Sequence, residues 1–155
     1  MSPTPRTPPR PCACTTVRTT SRLLARVYDD ALQGTGLNVT QLAVLRAIER
    51  MPGTPLSRVA ADLSMDRTSV YRSVAKMEEH GWLTTAEGPD ARSRCAEIAD
   101  RGRDVLDAAA PRWEVIQTEV VNRFGRRRFR ELVQELGELR TVAESVSSEA
   151  PGKGT

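Results

Sequence analysis

The stretch that decides the fold is Leu56-Ser57-Arg58-Val59-Ala60-Ala61-Asp62-Leu63, then Ser64-Met65, then Asp66-Arg67-Thr68-Ser69-Val70-Tyr71-Arg72, running on to Met77-Glu78-Glu79-His80-Gly81. Val59, Ala60 and Leu63 repeat at helical spacing, which predicts a short helix with Ser57 as its cap. Asp66 is a good N-cap for a second helix, and Gly81 is a good terminator after His80. Two short helices joined by a tight turn make a helix-turn-helix.

Angles along the second helix sort its residues. With Val70 at zero and about 100° per residue, Val74 falls near 40° and Met77 near −20°, so these three form an inner face. By the same count, Thr68, Arg72, Lys76 and Ser69 fall between about 160° and 260°, on the opposite side, with Arg67 and Tyr71 flanking at about 60° and 100°. Two cations and two hydroxyls on one helix face suit a DNA major groove: arginine can bond guanine bidentately, and serine, threonine and lysine can reach phosphates. An ordinary solvated polar face would look similar, so the neighbouring elements matter.

Downstream of Gly81 the period changes. Trp82–Glu87 and Ser93–Ala99 read as short strands around the turn sequence Gly88-Pro89-Asp90. A basic hairpin carrying Arg92 and Arg94 directly after a helix-turn-helix is a wing. The expected fold is therefore mainly α with a small β-hairpin wing.

Upstream, a helix is expected over Ala13–Gln33, stopped by Gly34 and Gly36, and another from Thr40, its expected cap, to Arg50, with Val39 and Val44 as a hydrophobic staple. Downstream, apolar residues at helical spacing predict a helix over Asp100–Phe124, which Pro111 should kink or split. A last helix is expected over Arg126–Val146. Five of the ten prolines fall in residues 1–11, which read as a disordered arm, and residues 148–155 read as a disordered tail. The expected organisation is thus arm 1–11, first dimerisation helix 12–36, winged domain 37–99, C-terminal dimerisation helices 100–147 and tail 148–155. Dimerisation enters because the flanking helices carry more apolar surface than a small winged domain can cover.

Charge alone would not have revealed a DNA surface. The 155 residues carry a net charge of only +3. Residues 51–103, which hold the helix-turn-helix and wing, balance eight basic against eight acidic residues. Any affinity for an acidic polymer must come from segregation within that neutral segment. Of the 23 basic residues only Lys76 and Lys153 are lysines, and arginine's planar fork is the better reader of guanine and of a narrow groove.

The ordered set Leu37-Asn38-Val39-Thr40-Gln41-Leu42-Ala43-Val44-Leu45, Leu63 through Arg72, Met77-Glu78-Glu79-His80-Gly81-Trp82-Leu83 and Asp90-Ala91-Arg92-Ser93-Arg94 resembles the MarR family of winged helix-turn-helix regulators, over about residues 12 to 147. The resemblance implies a homodimer through interlocked N- and C-terminal helices, bound to a palindromic double-stranded DNA operator. It also implies repression, relieved by a small-molecule effector or by thiol oxidation. By the family pattern, Thr68, Ser69, Arg72 and Lys76 meet bases and phosphates. Arg92 enters the minor groove, Asp90 braces a wing arginine, and Arg94 is either a phosphate ligand or a brace. Aromatic carboxylates often bind in this family near the positions of Tyr28 and Trp113, which read equally well as core aromatics.

Cys12 and Cys14 open the first helix, where the helix dipole and Arg10 and Arg18 favour thiolate. The hydroperoxide-sensing branch of the family keeps its reactive cysteine near this position. Small fillers at a dimer interface, redox sensors, and metal ligands all remain open readings for the pair. Cys95 reads as a packing residue and His80 as a helix-end residue. Three cysteines are too few for a disulfide framework, and no apolar leader or run of about 18 apolar residues is visible, so a cytoplasmic protein off the membrane is expected.

The enzymatic reading finds no support: no paired carboxylates with placed partners, no phosphate loop, no metal cluster and no nucleophile–histidine arrangement. No cofactor and no metal are expected. The remaining alternative is a winged-helix protein-interaction module that never touches DNA.

Overall fold

The computed structural model describes residues 11–90 and 93–149. Its elements in chain order are α1 (Ala13–Ala31), α2 (Val39–Arg50), α3 (Leu56–Asp62), α4 (Arg67–Glu79), β1 (Leu83–Glu87), β2 (Arg94–Ile98), α5 (Asp100–Phe124) and α6 (Arg126–Glu149). The expected mainly helical fold with a hairpin wing is present. The chain divides into two compact units, residues 1–113 and 114–155, and the division falls within α5.

The first unit is built around one core. Leu42, Val44, Leu45, Ala47 and Ile48 of α2 lie in it with Leu56, Val59 and Ala60 of α3 and Val70, Val74 and Met77 of α4. Leu83, Ala96 and Ile98 of the hairpin and Leu106 and Ala109 of α5 complete it. Leucine, valine and alanine carry this core because the chain is poor in aromatics. Trp82 is the large exception, buried between α4 and the hairpin.

Gly102 shows how tightly α5 is seated. A β-carbon there would lie 1.9 Å from the Trp82 carbonyl oxygen. Only glycine permits that approach, which brings the first turn of α5 against the chain leaving α4.

Two expected caps are corrected. The N-cap of α2 is Asn38, not Thr40: its side chain accepts from the Gln41 N–H at 2.8 Å, and Gln41 Oε1 accepts from the Asn38 N–H at 3.0 Å. This reciprocal capping box outcompetes a lone threonine two residues later. It also moves the staple positions from Val39 and Val44 to Leu37 and Leu42, both buried. The N-cap of α3 is Pro55, not Ser57, with no side-chain cap bond. Proline's fixed φ suits the residue leading into a first turn, and Pro55 also bridges to Cys95 of β2.

Asp66 caps α4 as expected, accepting from the Ser69 N–H at 3.0 Å. Ser64, in the turn between α3 and α4, has φ 51°, a left-handed conformation that lets two helices meet across so short a link. Gly81, with φ 71°, ends α4. The hairpin is a two-stranded antiparallel sheet with Leu83 opposite Ile98, Thr85 opposite Ala96 and Glu87 opposite Arg94.

Pro111 does not split α5, which runs unbroken from Asp100 to Phe124. The carbonyl that the missing proline N–H leaves without a helical partner belongs to Asp107. Both residues are exposed, so water can satisfy it.

In the second unit, α6 has no buried residue along its 24 residues. Leu132, Val133, Leu136, Leu139, Val142 and Val146 are all at least 40% exposed. In the first unit, α1 likewise buries none of its residues and exposes Val17, Leu23, Leu24 and Val27. Of the arm expected over 1–11, residues 1–10 lie outside the described residues, as do 150–155 of the tail expected over 148–155; Ser148 and Glu149, expected in that tail, are instead the end of α6.

Candidate nucleic-acid interface

The angular reading of α4 holds in three dimensions. Val70, Val74 and Met77 are buried at 0%, 2% and 0% exposure. Arg67, Thr68, Ser69, Arg72 and Lys76 are all exposed. A 13-residue helix is thus pinned to the core on one side and presents hydroxyls and cations on the other. Tyr71 is half-buried and packs against the core, so only part of its ring faces outward.

Asp66 organises the N-terminus of α4. Its carboxylate accepts the Ser69 N–H and also the Ser69 hydroxyl. These two bonds, with smaller help from the Thr68 N–H and the Arg72 charge, hold its pKa below the usual 3.8. The Ser69 hydroxyl proton is thereby committed, so Ser69 turns lone pairs, not a donor, toward anything that approaches.

The wing is held from inside and from its flank. Gly88 N–H donates to Ser93 O at 2.8 Å, and Ser93 N–H donates to Asp90 O at 2.8 Å. Ser93 Oγ also donates to Asp90 O at 2.9 Å. Asp90 therefore anchors the loop through its main chain. Arg92, the expected minor-groove residue, lies outside the described residues, as does Ala91.

Arg94 donates from its guanidinium to Thr85 Oγ1 across the hairpin. Of its two expected roles, this geometry serves bracing. Thr85 in turn gives both its N–H and its hydroxyl to Glu78 Oε1, each at 2.8 Å. Those two bonds, and then the Arg94 charge, hold the Glu78 carboxyl below the usual 4.5. Glu78 and Thr85 were not singled out from the sequence. Their seven-residue separation bridges a helix end and a strand, so no single periodicity marks them.

The cysteines fall as expected from position. Cys12 is the N-cap of α1, and Cys12 and Cys14 are exposed thiols, whereas Cys95 is buried. The nearby Thr15 N–H and hydroxyl favour the Cys12 thiolate and hold its pKa below the usual 9.0. Among the described residues no group of three or more His, Cys, Asp or Glu is placed to hold a metal.

Tyr28 and Trp113 are both half-buried. Burial raises the Tyr28 phenol's pKa. The Trp113 ring packs on the core with the Arg46 guanidinium 4.3 Å from its centroid, a cation–π arrangement. Nearby in the chain, Arg112 donates to the Gln33 carbonyl at 2.7 Å, tying α5 to the end of α1. His80 stacks on Trp82, with ring centroids 4.7 Å apart, at the end of α4.

A helix-turn-helix with a buried inner face, a cationic outer face and a braced hairpin beside it defines a winged helix-turn-helix. Comparison with known proteins gives the family. The sequence profile of the MarR family matches residues 35–93. A crystal structure of the M. tuberculosis transcriptional regulator MosR in complex with DNA is 33% identical, with a TM-score of 0.75, covering 86% of this chain and 98% of that one. The transcriptional repressor CouR, solved bound to a 23-mer DNA duplex, is 18% identical with a TM-score of 0.75, covering 83% of this chain and 92% of that one; this likeness concerns the fold alone. The uncharacterized HTH-type transcriptional regulator YwoH of Bacillus subtilis (strain 168) is 24% identical over 78 residues, which is 50% of this chain and 57% of that relative's length. The chain belongs to the MarR family, a family of transcriptional regulators. No helix among the described residues is long and apolar enough to cross a membrane.

Proposed function

We propose that this chain is a homodimeric regulator that binds duplex DNA sequence-specifically and represses transcription. The observation that carries the reading is α4, whose apolar residues are buried while Arg67, Thr68, Ser69, Arg72 and Lys76 all face outward. Arg72 is assigned to guanine, Lys76 and Thr68 to phosphates, and Arg92 of the wing to an adjacent minor groove. Ser69, its proton held by Asp66, would accept from a base amino group rather than donate to a phosphate. MosR, 33% identical and solved with DNA, supports the partner.

Two subunits would pair through the exposed apolar residues of α1 and α6. So much uncovered leucine and valine is costly in water and is what an obligate partner removes. Pairing would set two α4 helices about one DNA turn apart.

Release from DNA is assigned to Cys12, on the observation that its exposed thiol stands at the N-cap of α1, where the helix dipole favours thiolate. A hydroperoxide would convert that thiolate to a sulfenic acid and leave as the alcohol. A second thiol would then condense with the sulfenic acid, expelling water. An aromatic or phenolic effector near Tyr28 and Trp113 is the alternative trigger. It is favoured by the half-buried placement of both aromatics, with the Trp113 ring packed on the core beneath the Arg46 guanidinium.

The test is a footprint on the chain's own upstream DNA, with and without cumene hydroperoxide, for wild type and for a Cys12→Ser/Cys14→Ser variant. The reading expects protection of two half-sites that oxidant abolishes in wild type only. Protection that survives oxidant in both proteins would remove the thiol trigger. Absence of any protected sequence would leave the protein-interaction module as the better reading.

A further inference from the structure

Glu78 sits in the last turn of α4, yet its carboxylate serves the wing. One oxygen, Oε1, accepts both the N–H and the hydroxyl of Thr85, at the centre of β1, each at 2.8 Å. The same Thr85 hydroxyl accepts from Arg94, the first residue of β2. A three-residue chain of hydrogen bonds, Arg94 to Thr85 to Glu78, thus runs from the far strand, through the near strand, into the recognition helix. The Thr85 N–H belongs to the edge of β1 that faces away from β2, which would otherwise lie open to water. On the other side, β2 is closed by the bridge from Cys95 to Pro55. The hairpin is therefore fastened on both edges, and the fastening to α4 is polar, directional and in part charge-assisted.

We propose that Glu78 is a positioning residue that fixes the angle between the wing and the recognition helix, so that both meet their grooves in one docking step. The inference rests on the reading of α4 and the wing as DNA-contacting elements. A two-stranded hairpin has little stability of its own and is free to swing about its base unless tied. If the wing swings in the free protein, that freedom must be lost on DNA, and affinity falls by the cost of ordering it. Glu78 moves that ordering into the folding of the protein. The same carboxylate is turned to Thr85 of the hairpin, with the Arg94 guanidinium on the far side of that hydroxyl.

The test compares wild type, Glu78→Ala and Glu78→Gln as full chains. Glutamine keeps an acceptor oxygen and loses the charge. Amide exchange at Thr85 reads the brace without DNA. Glu78→Ala should speed exchange there by at least about tenfold, with Glu78→Gln in between. Affinity is then measured on two duplexes: the full footprinted site, and a version trimmed of the flanking base pairs that the wing covers. Glu78→Ala should lose about tenfold on the full site and little on the trimmed one, because only the full site rewards an ordered wing. Hydroxyl-radical protection of the flank should fade with it, and Glu78→Gln should recover most of both. Unchanged Thr85 exchange in Glu78→Ala would overturn the brace itself. Equal losses on both duplexes, alongside a lowered melting temperature, would mean a structural role only and overturn the positioning role. Wild type that fails to bind any duplex would instead bring down the DNA reading on which the proposal stands.

Discussion

Arg72 and Arg94 look alike in the sequence and part company in the structure. Arg72 extends from the exposed face of α4, whereas Arg94 reaches across the hairpin to Thr85. Their substitutions should therefore differ in kind. Arg72→Ala is expected to cost about 1–3 kcal/mol of specific affinity and to relax the choice of one base, the scale of one lost bidentate contact. Titration against a panel of single-base operator variants checks it, and unchanged affinity and selectivity would remove Arg72 from base reading. Gly102 gives a prediction independent of DNA. With the Trp82 carbonyl 1.9 Å from where a β-carbon would go, Gly102→Ala should cost about 3 kcal/mol by forcing the start of α5 away from its seat. A denaturant melt equal to wild type would contradict that packing. Neither distinction was legible beforehand. A glycine in a helical pattern reads as a weak spot until its neighbour across the turn is seen, and which arginine finds an internal partner depends on cross-strand register.

Elements with strong periodicity were legible almost to their ends. α4 was read correctly because its apolar residues recur at helical spacing, and Asp66 and Gly81 mark both boundaries. The caps of α2 and α3 were misplaced for a physical reason. Capping depends on the backbone of one residue, and Asn38 with Gln41 offers two reciprocal bonds where Thr40 offers one. The Asn38-x-x-Gln41 spacing was itself a readable signal. Pro111 does not divide α5, because a solvent-facing proline leaves only one carbonyl to be hydrated. The Asp66 cap predicts a pH response. Its pKa is depressed in the folded state, so its stabilisation is complete above the usual 3.8 and is lost as pH falls through the depressed value. Asp66→Asn keeps an acceptor but cannot titrate. The melting-temperature advantage of wild type over Asp66→Asn should therefore hold from about pH 6 to about pH 4 and shrink as pH falls further. Parallel curves would show that the charge on the cap contributes nothing.

At the scale of the whole molecule, a chain of net charge +3 becomes a candidate DNA reader only by segregation, and a chain with so few aromatics spends much of its leucine and valine outside its own core. Both facts were present in the sequence. What the sequence could not supply was the extent of exposure: α6 buries none of its residues and exposes six leucines and valines. If a second copy covers them, Leu132→Arg combined with Leu136→Arg should yield a folded monomer by analytical ultracentrifugation, and that monomer should bind a full palindrome far more weakly than wild type. A dimer that persists, or a monomer that binds as tightly, would contradict the assembly.

The claim beneath all of these is that the exposed face of α4 and the wing read DNA. It is tested most directly by affinity for the chain's own upstream duplex and for a scrambled duplex of equal length, across a salt series. The account predicts a preference for the upstream sequence of at least about 10³-fold, with binding to both falling steeply as salt rises as counterions are released from phosphates. Equal affinity for the two duplexes, or binding indifferent to salt, would contradict it.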